Sequence, residues 1–492
     1  MKILLINPYF KAMTKYERVE MPLGLMYLAA VLEKANFDVE IIDASVGLKR
    51  TFKKNVWHYG YILDELITKI KEKKPDLVGL GCVFSMRFPE VLEIAKEIKK
   101  TNKKIIIAIG GIHPTIFAKQ ILKDYSFFDY ILLGEAEYSF LHLVKSIQSN
   151  NLKELKNIDG LAYRQKNKIL VNPKTTFIEN LDSLPFPARH LLPIEEYLKN
   201  SAPTNWGLGA HRQFSILTSR SCPNRCTFCS MYLVHGPRWR SRSSKNVLDE
   251  IELLVNKYNA KELCFEDDNL TLSKQRMMDI CQGIIDKGIK INWNTPNGVA
   301  IKSLDYEVLK KMKESGCTSV NLAIESGDDY IRNEIIKKNL PREKIYEIVL
   351  ACKKLGLKAN AFFVLGMPRE TKKSLENNIK LLKKLPLNGI AVLFATPFPG
   401  TKLFQWAIEG KMISKEDLNN IIEGNFILYN KPIIKLKNLS FDDLIKYKKK
   451  MMFTWIRKNF SDIVWSILQG KNDFFRISYI VRFFKFYLPS KE

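Results

Sequence analysis

The chain has 492 residues, 46% of them hydrophobic and 11% aromatic, which is too long for one core and too apolar for wholesale disorder, so two or three folded domains are expected. Eight cysteines do not make a disulfide framework, the opening MKILLINPYF lacks the apolar length and cleavage site of a signal peptide, and no apolar stretch reaches the roughly 20 residues of a spanning helix; a cytoplasmic address follows. The net charge of +26 suits a polyanionic partner such as nucleic acid, anionic lipid or a phosphorylated substrate, and equally suits lysines scattered over solvated faces.

Residues 1–150 alternate short apolar runs with helical spacing. KILLINP (2–8), DVEIIDAS (38–45), DLVGLGCVF (76–84), KIIIAIGGIHP (104–114) and YILLGEAE (130–137) read as strands. PLGLMYLAAVLEKAN (22–36) and FPEVLEIAKEIKKT (88–101) read as helices between them. This order predicts an α/β, doubly wound parallel sheet of the Rossmann-like kind, whose ligands lie at the carboxyl ends of the strands. Those ends carry Asp43-Ala44-Ser45, Cys82 to Ser85, Gly110 to His113 and Gly134 to Glu137. Residues 151–210 lose the pattern, and NLDSLPFPARHLLP (180–193), with three prolines, reads as a surface linker.

Alternation resumes over 211–435. FSILTSRS (214–221), KELCFEDDN (261–269), KINWNTPNG (290–298), TSVNLAIESG (318–327), KANAFFVLGMP (358–368) and NGIAVLFATPFPG (388–400) read as strands, with helices such as KNVLDEIELLVNKYN (245–259) and SLENNIKLLKKL (374–385) between them. Six β-α units predict a partial (β/α)6 barrel of the TIM type, with its chemistry on the loops that follow the strands. A helical extension, 436–492, completes the chain. SFDDLIKYKKKMMFTWIRKNF (440–460) has apolar positions at 441, 444, 445, 452, 455 and 456 opposite a basic face, and DFFRISYIVRFFKFYLP (473–489) interleaves Phe and Tyr with Arg476, Arg482 and Lys485. Such segments suit peripheral contact with a membrane surface through 440–489, and also suit a helical cap packed on the barrel.

After the first barrel strand comes SRSCPNRCTFCSM (219–231), in which Cys222, Cys226 and Cys229 are spaced C-x3-C-x2-C. A closed zinc site or a fully cysteine-ligated cluster takes four protein ligands. Three thiolates fit a [4Fe-4S] cube with one iron left open to a small molecule. A zinc site completed by His235 is the alternative on spacing alone.

CPNRCTFC, with an aromatic before the last cysteine, resembles the radical S-adenosylmethionine (SAM) superfamily. The resemblance implies a [4Fe-4S] cluster on Cys222, Cys226 and Cys229 and reductive cleavage of SAM to a 5'-deoxyadenosyl radical. FEDDN (265–269) is similar to the stretch that binds the methionine amino group, implying Asp267 and Asp268. IESG (324–327) resembles a ribose- or carboxylate-contacting motif, implying Glu325 and Ser326, and VLGMP (364–368) resembles the stretch beside adenine, implying Gly366 and Pro368 together with Phe228. ATPFPGTKL (395–403) is similar to the sixth-strand end of one subgroup. Plainer roles stay open: Asp267 and Asp268 as caps of a helix starting near Ser273, Glu325 as an ion-pair partner, and Gly366 with Pro368 as a turn. Arg238, Arg240 and Arg242 either hold an anionic group or form a solvated basic loop.

Together with PLGLMYLAAVLEKANFDVEIIDAS, GGIHPT, LLGEAE and LDSLPFPAR, residues 1–405 resemble the cobalamin (B12)-binding radical SAM enzymes. That implies a cobalamin site from Leu23, Gly24, Ser85, Gly110, Gly111, His113, Gly134 and Glu135, and methylation of an unactivated carbon. The D-x-H-x-x-G signature that supplies a lower histidine ligand in many B12 domains is absent; the chain reads Asp43-Ala44-Ser45-Val46-Gly47. A second class keeps the radical without methyl transfer: cyclisation, rearrangement or carbon–carbon coupling. Methylthiolation of tRNA would call for a second cysteine cluster, whereas Cys82 is the only cysteine in 1–150. A third class is a zinc- or cluster-stabilised nucleic-acid-binding protein. The leading class implies a small-molecule or lipid-like substrate and a low-potential electron donor such as ferredoxin or flavodoxin, with nucleic acid not expected as a partner.

Overall fold

Short runs of Ile, Leu and Val can only be covered on both faces, and the first sheet is built from them. In the computed structural model, which describes residues 1–12, 19–46, 50–53, 56–200, 212–425 and 431–462, the chain forms two units. One holds the described residues of 1–202, 230–242 and 415–427; the other holds the rest.

In the first unit β1 (Lys2–Asn7), α1 (Leu23–Lys34), β2 (Asp38–Asp43), α2 (Leu63–Lys73), β3 (Leu77–Gly81), α3 (Phe88–Thr101), β4 (Ile106–Gly110), α4 (Ile112–Asp124), β5 (Tyr130–Leu132) and α5 (Glu137–Gln148) alternate as expected. The parallel strands run in the order 2-1-3-4-5, which puts the switch point between β1 and β3. Ile3 to Ile6 are fully buried, and α3 lays Val91, Ile94, Ala95 and Ile98 on the sheet at helical spacing.

Two features of the expected linker differ. β6 (Leu161–Gln165) and β7 (Lys168–Val171) form a hairpin that extends the sheet antiparallel to β5, with Tyr163 opposite Tyr130. Further on, Leu181, Leu184, Ala188 and Leu192 are buried, the Ala188 N–H donates to Met26 O at 3.1 Å, and α6 (Ile194–Asn200) buries Tyr197. The first unit therefore runs past residue 150, and the prolines of 180–193 shape a strap rather than a free connection. An accessory antiparallel sheet of Phe10–Ala12, Val56–Tyr59 and Arg50–Lys53 was not foreseen.

In the second unit six parallel strands stand in chain order: β8 (Gln213–Ile216), β9 (Glu262–Phe265), β10 (Asn292–Val299), β11 (Cys317–Glu325), β12 (Lys358–Leu365) and β13 (Gly389–Phe394). Their outer strands β8 and β13 are not paired, so the barrel is partial. The register slips between Thr295 and Val299, around Pro296, which has no N–H for the ladder. The helices α7 (Ser244–Tyr258), α8 (Lys274–Asp286), α9 (Tyr306–Glu314), α10 (Arg342–Lys354), α11 (Lys372–Lys384) and α12 (Lys402–Glu409) fill the connections. Ser243, Ser273, Asp305, Thr371 and Thr401 cap five of them, each side chain accepting from a backbone N–H three residues on. Ser273 is thus the cap of α8, and the capping role considered for Asp267 and Asp268 is not what they do.

The extension begins with α13 (Phe441–Lys458), which packs on α11 and β13. It buries Leu444, Met451, Met452 and Trp455, and the Trp455 indole N–H donates to Leu387 O at 3.1 Å. Of the stripe offered for a membrane surface, Leu444, Met452 and Trp455 are used inside the protein, whereas Phe441 is exposed. Residues 473–489 lie outside the described residues. No described helix is long and apolar enough to cross a membrane.

Candidate active site

The cysteine loop leaves the carboxyl end of β8, where side chains are held rather than mobile. None of the chain's described cysteines is in a disulfide; Cys226 is buried, while Cys222 and Cys229 are half-buried. Ser221, just before the first cysteine, has a left-handed backbone (φ 69°), so the bend must be fixed by its neighbours. Three consecutive residues after β9 do this. Asp267, 1% exposed, accepts from Thr218 N–H at 3.2 Å, Thr218 Oγ1 at 2.7 Å and Ser219 Oγ at 2.5 Å. Asp268 accepts from the Ser221 N–H at 2.8 Å, and Asn269 Nδ2 donates to Cys222 Sγ at 3.4 Å. From the other side Thr227 N–H and Oγ1 donate to the carbonyls of Ile336 (3.1 Å) and Ile335 (2.9 Å), and Thr227 O accepts from Leu403 N–H at 2.8 Å. Those carbonyls belong to the end of a π-helical turn, Ile331–Ile335, and the residue that follows it.

This corrects the expectation for Asp267. Burial raises its carboxyl pKa, opposed by Arg276 and by its hydroxyl and backbone donors. With those donors occupying it, it is a brace of the cysteine loop rather than a ligand for an amino group. Glu325 has the ion-pair role that the plainer reading gave it: with a left-handed backbone (φ 66°) it meets Lys338 at 2.9 Å, both side chains being about nine-tenths covered. Burial alone would lower the Lys338 pKa, but Glu325 and the sulfurs of Cys226 and Cys222 outweigh it and hold the ammonium charged. Lys338 was not singled out in the sequence; its relation to the cysteines exists only once the π-helical turn docks on Thr227.

Ser326 is fully buried. Its Oγ accepts from the Asp328 N–H at 3.2 Å, and the bend is held by Asn378, whose Oδ1 accepts from the Gly327 N–H at 2.5 Å. Gly366, beyond β12, has φ 90°, and its N–H donates to Glu370 Oε2 at 2.6 Å; Pro368 follows half-buried, and Phe228 packs half-buried against the cluster around Cys226 and Ile335. Glu370 is 1% exposed, and its Oε1 has no partner among the described residues. Burial pushes its carboxyl from the ordinary 4.5 up to about 8, against the Gly366 and Met367 N–H groups. An acid that ionises in the unfolded chain but stays protonated in the fold loses stability as pH climbs from its unfolded to its folded pKa, by about 1.4 kcal/mol per pH unit. Glu370→Gln is therefore expected to match the parent in urea denaturation near pH 4.5 and to exceed it increasingly towards pH 8. A gap that does not grow over that range would show the carboxyl already ionised in the fold.

At the strand ends of the first unit, Gly111 has φ 121°, and a Cβ there would meet Cys82 O at 2.3 Å, so only glycine fits. Gly110 ends β4, Gly134 (φ 62°) donates its N–H to the Thr115 hydroxyl oxygen at 2.9 Å, and Ser85 is buried in a short 3-10 turn. Leu23 and Gly24 open α1, and Gly24 has no atom within 4 Å of where a Cβ would stand. Val83 and Phe84, after β3, are 51% and 54% exposed, an apolar pair suited to a large flat ligand. Two expectations fail here. His113 is fully enclosed, its ring 4.1 Å from Phe88 and 4.8 Å from Phe117, and burial drops its pKa to about 3; it is a core residue of α4. Glu135 grips Arg240 with both oxygens, at 2.7 and 2.8 Å, and Oε2 also accepts the Ile178 N–H at 3.1 Å. Neither half of that pair is available to an anion or to a cofactor. Asp43, where the missing signature would begin, accepts from Asn7 Nδ2, Ser45 N–H, Ser45 Oγ and the Tyr197 hydroxyl at 2.5–2.9 Å.

The donor sets fit two kinds of group. Three free thiols on one braced loop suit an iron–sulfur cube, which takes its thiolates at separate corners; among the described residues no three His, Cys, Asp or Glu side chains converge on one metal-ion position. The strand ends of the first unit, open at Gly24 and apolar at Val83 and Phe84, suit a corrin-sized ring.

Known proteins agree with both. A B12 binding domain model matches residues 11–144 and a Radical SAM superfamily model matches residues 216–382, the latter running through the cysteine loop. An uncharacterised methyltransferase of Pyrococcus horikoshii is 33% identical over 454 residues, covering 92% of this chain and 91% of that protein. Cytidylyl-2-hydroxyethylphosphonate methyltransferase of Streptomyces wedmorensis is 29% identical over 450 residues, covering 85% and 83%. Among solved structures, the radical SAM methyltransferase TsrM from Kitasatospora setae, with cobalamin and a [4Fe-4S] cluster bound, shares the fold with a TM-score of 0.64 at 19% identity, covering 84% of this chain and 76% of that one. A zinc-stabilised nucleic-acid binder is set aside by these matches. The chain belongs to the cobalamin-binding radical SAM enzymes, in their methylase-like branch.

Proposed function

We propose that this enzyme methylates an unactivated carbon of a small or lipid-like molecule. The observation that carries the reading is the joining of a B12 binding domain and a radical SAM domain in a chain that matches a methyltransferase over nine-tenths of both lengths. When bound, the cluster with SAM supplies a hydrogen-abstracting radical and cobalamin supplies the methyl group; the chain supplies sites, orientation and exclusion of water. Cys222, Cys226 and Cys229 would hold the cluster on a loop braced by Asp267, Asp268 and Thr227. Phe228, Asp268, Ser326, Gly366 and Pro368 would line the SAM site, with Lys338 and Glu325 fixing a positive charge beside the thiolates. Leu23, Gly24, Ser85, Gly110, Gly111 and Gly134 would shape the cobalamin site, in a unit made of 1–202, 230–242 and 415–427 rather than 1–150 alone. A net charge of +26 favours an acidic low-potential electron carrier of the ferredoxin or flavodoxin kind.

Anaerobically purified and reconstituted protein is expected to hold four irons and one cobalt per chain. It should release 5'-deoxyadenosine on reduction with SAM and move the methyl label of SAM to a substrate. Zinc in place of iron would overturn the reading, and 5'-deoxyadenosine with substrate turnover but no methyl label would replace it with cyclisation, rearrangement or coupling.

A further inference from the structure

Resting on that reading, we infer that Asn269 is a positioning residue that sets the cluster's reduction potential by donating a side-chain N–H to the sulfur of Cys222. The geometry is specific. Asn269 Nδ2 lies 3.4 Å from Cys222 Sγ, and the residue is 1% exposed. It follows Asp267 and Asp268, which are tied to Thr218, Ser219 and Ser221, and its own carbonyl accepts from Ser219 Oγ at 3.4 Å. The backbone that carries Asn269 is thus tied, through its neighbours and its own carbonyl, to the loop that carries the sulfur.

An amide dipole held on a cluster thiolate stabilises the more negative, reduced state more than the oxidised one, so its removal makes the cluster harder to reduce. Away from water the dipole is not screened, and because it is held in place no reorganisation is needed when the electron arrives. Cys226 has a different environment, packed among Ile331, Ile335, Ile336 and Met367. The Cys222 and Cys226 thiolates are therefore not equivalent, and the Asn269 N–H is given to the first. The competing view is that Asn269 only latches the loop, as its two predecessors do.

The test is a potentiometric titration of the reconstituted cluster, without SAM, followed by electron paramagnetic resonance, on the parent, Asn269→Leu (same shape, no donor) and Asn269→Asp (same shape, acceptor only). Both variants are expected to keep four irons. Asn269→Leu should lower the reduction equilibrium constant about tenfold, or about 59 mV for a one-electron couple, and Asn269→Asp more. An unchanged potential in iron-replete variants overturns the inference, and loss of iron from both variants overturns it in favour of the latch. Parent protein without four irons would instead be a failure of the radical SAM reading itself.

Discussion

Glu135→Ala is expected to destabilise the protein by about 3–5 kcal/mol, because it leaves the Arg240 guanidinium buried without its counter-charge. Both side chains are nearly inaccessible, at 4% and 2% exposure, and Arg240 also donates to Ile178 O at 2.7 Å and to His235 O. Arginine cannot escape by losing its proton, so the desolvated charge stays. Glu135→Leu combined with Arg240→Met should recover most of the loss, since replacing a whole buried pair by apolar groups is close to neutral. Urea denaturation of the two single variants and the double variant is the measurement. A double variant as weak as either single would mean that the pair's hydrogen bonds, not its charges, carry the effect. Arg240 lies in the segment that follows Cys229, so the single variants should also take up less iron, and the double variant should regain it.

Replacing Cys222, Cys226 and Cys229 together by alanine is expected to abolish iron binding and to leave 5'-deoxyadenosine at the no-enzyme background. The same change at Cys82, Cys281, Cys317 or Cys352 should leave both intact. The contrast comes from environment. Cys281 and Cys352 sit in closed cores where burial pushes the thiols up to about 12, and Cys82 and Cys317 are pushed up in the same way, so none readily becomes the thiolate that iron needs. Cys226 is also raised by burial, but Lys338 opposes the shift, and a metal displaces the thiol proton. Retained far-ultraviolet circular dichroism in the triple variant would show that the loss is one of ligands rather than of fold. Iron held by the triple variant would place the cluster elsewhere.

Much of this architecture is written in local pattern. The βα alternation, the six barrel strands and the capping residues Ser243, Ser273 and Thr371 are short-range signals, and the three cysteines are eight residues of chain. What was not legible depends on partners far apart. Glu135 and Arg240 stand 105 positions apart, and nothing local to LLGEAE says that its carboxylate is taken. His113 follows two glycines at a strand end, where a ligand contact is a fair expectation, yet Phe88 and Phe117 close over it. The hairpin of β6 and β7 escaped because LAYRQKNKILV is only partly covered and its polar turn reads as loop. Lys338 lies in a lysine-rich stretch, and only the fold separates it from its solvated neighbour Lys337.

The cysteine loop's immediate continuation, 230–242, and a later stretch, 415–427, are built into the unit formed by the chain's first 202 residues. The boundary between the two units therefore cannot be cut with one break in the gene. A product stopped at residue 202 would retain Glu135 but lack Arg240, and a product started at residue 203 would carry Arg240 without Glu135. The first product would lose the segment that covers and neutralises Glu135, and the second would carry 230–242 without the unit it packs into, so the halves are expected to be soluble and well folded only when made as one polypeptide or co-expressed to reassociate.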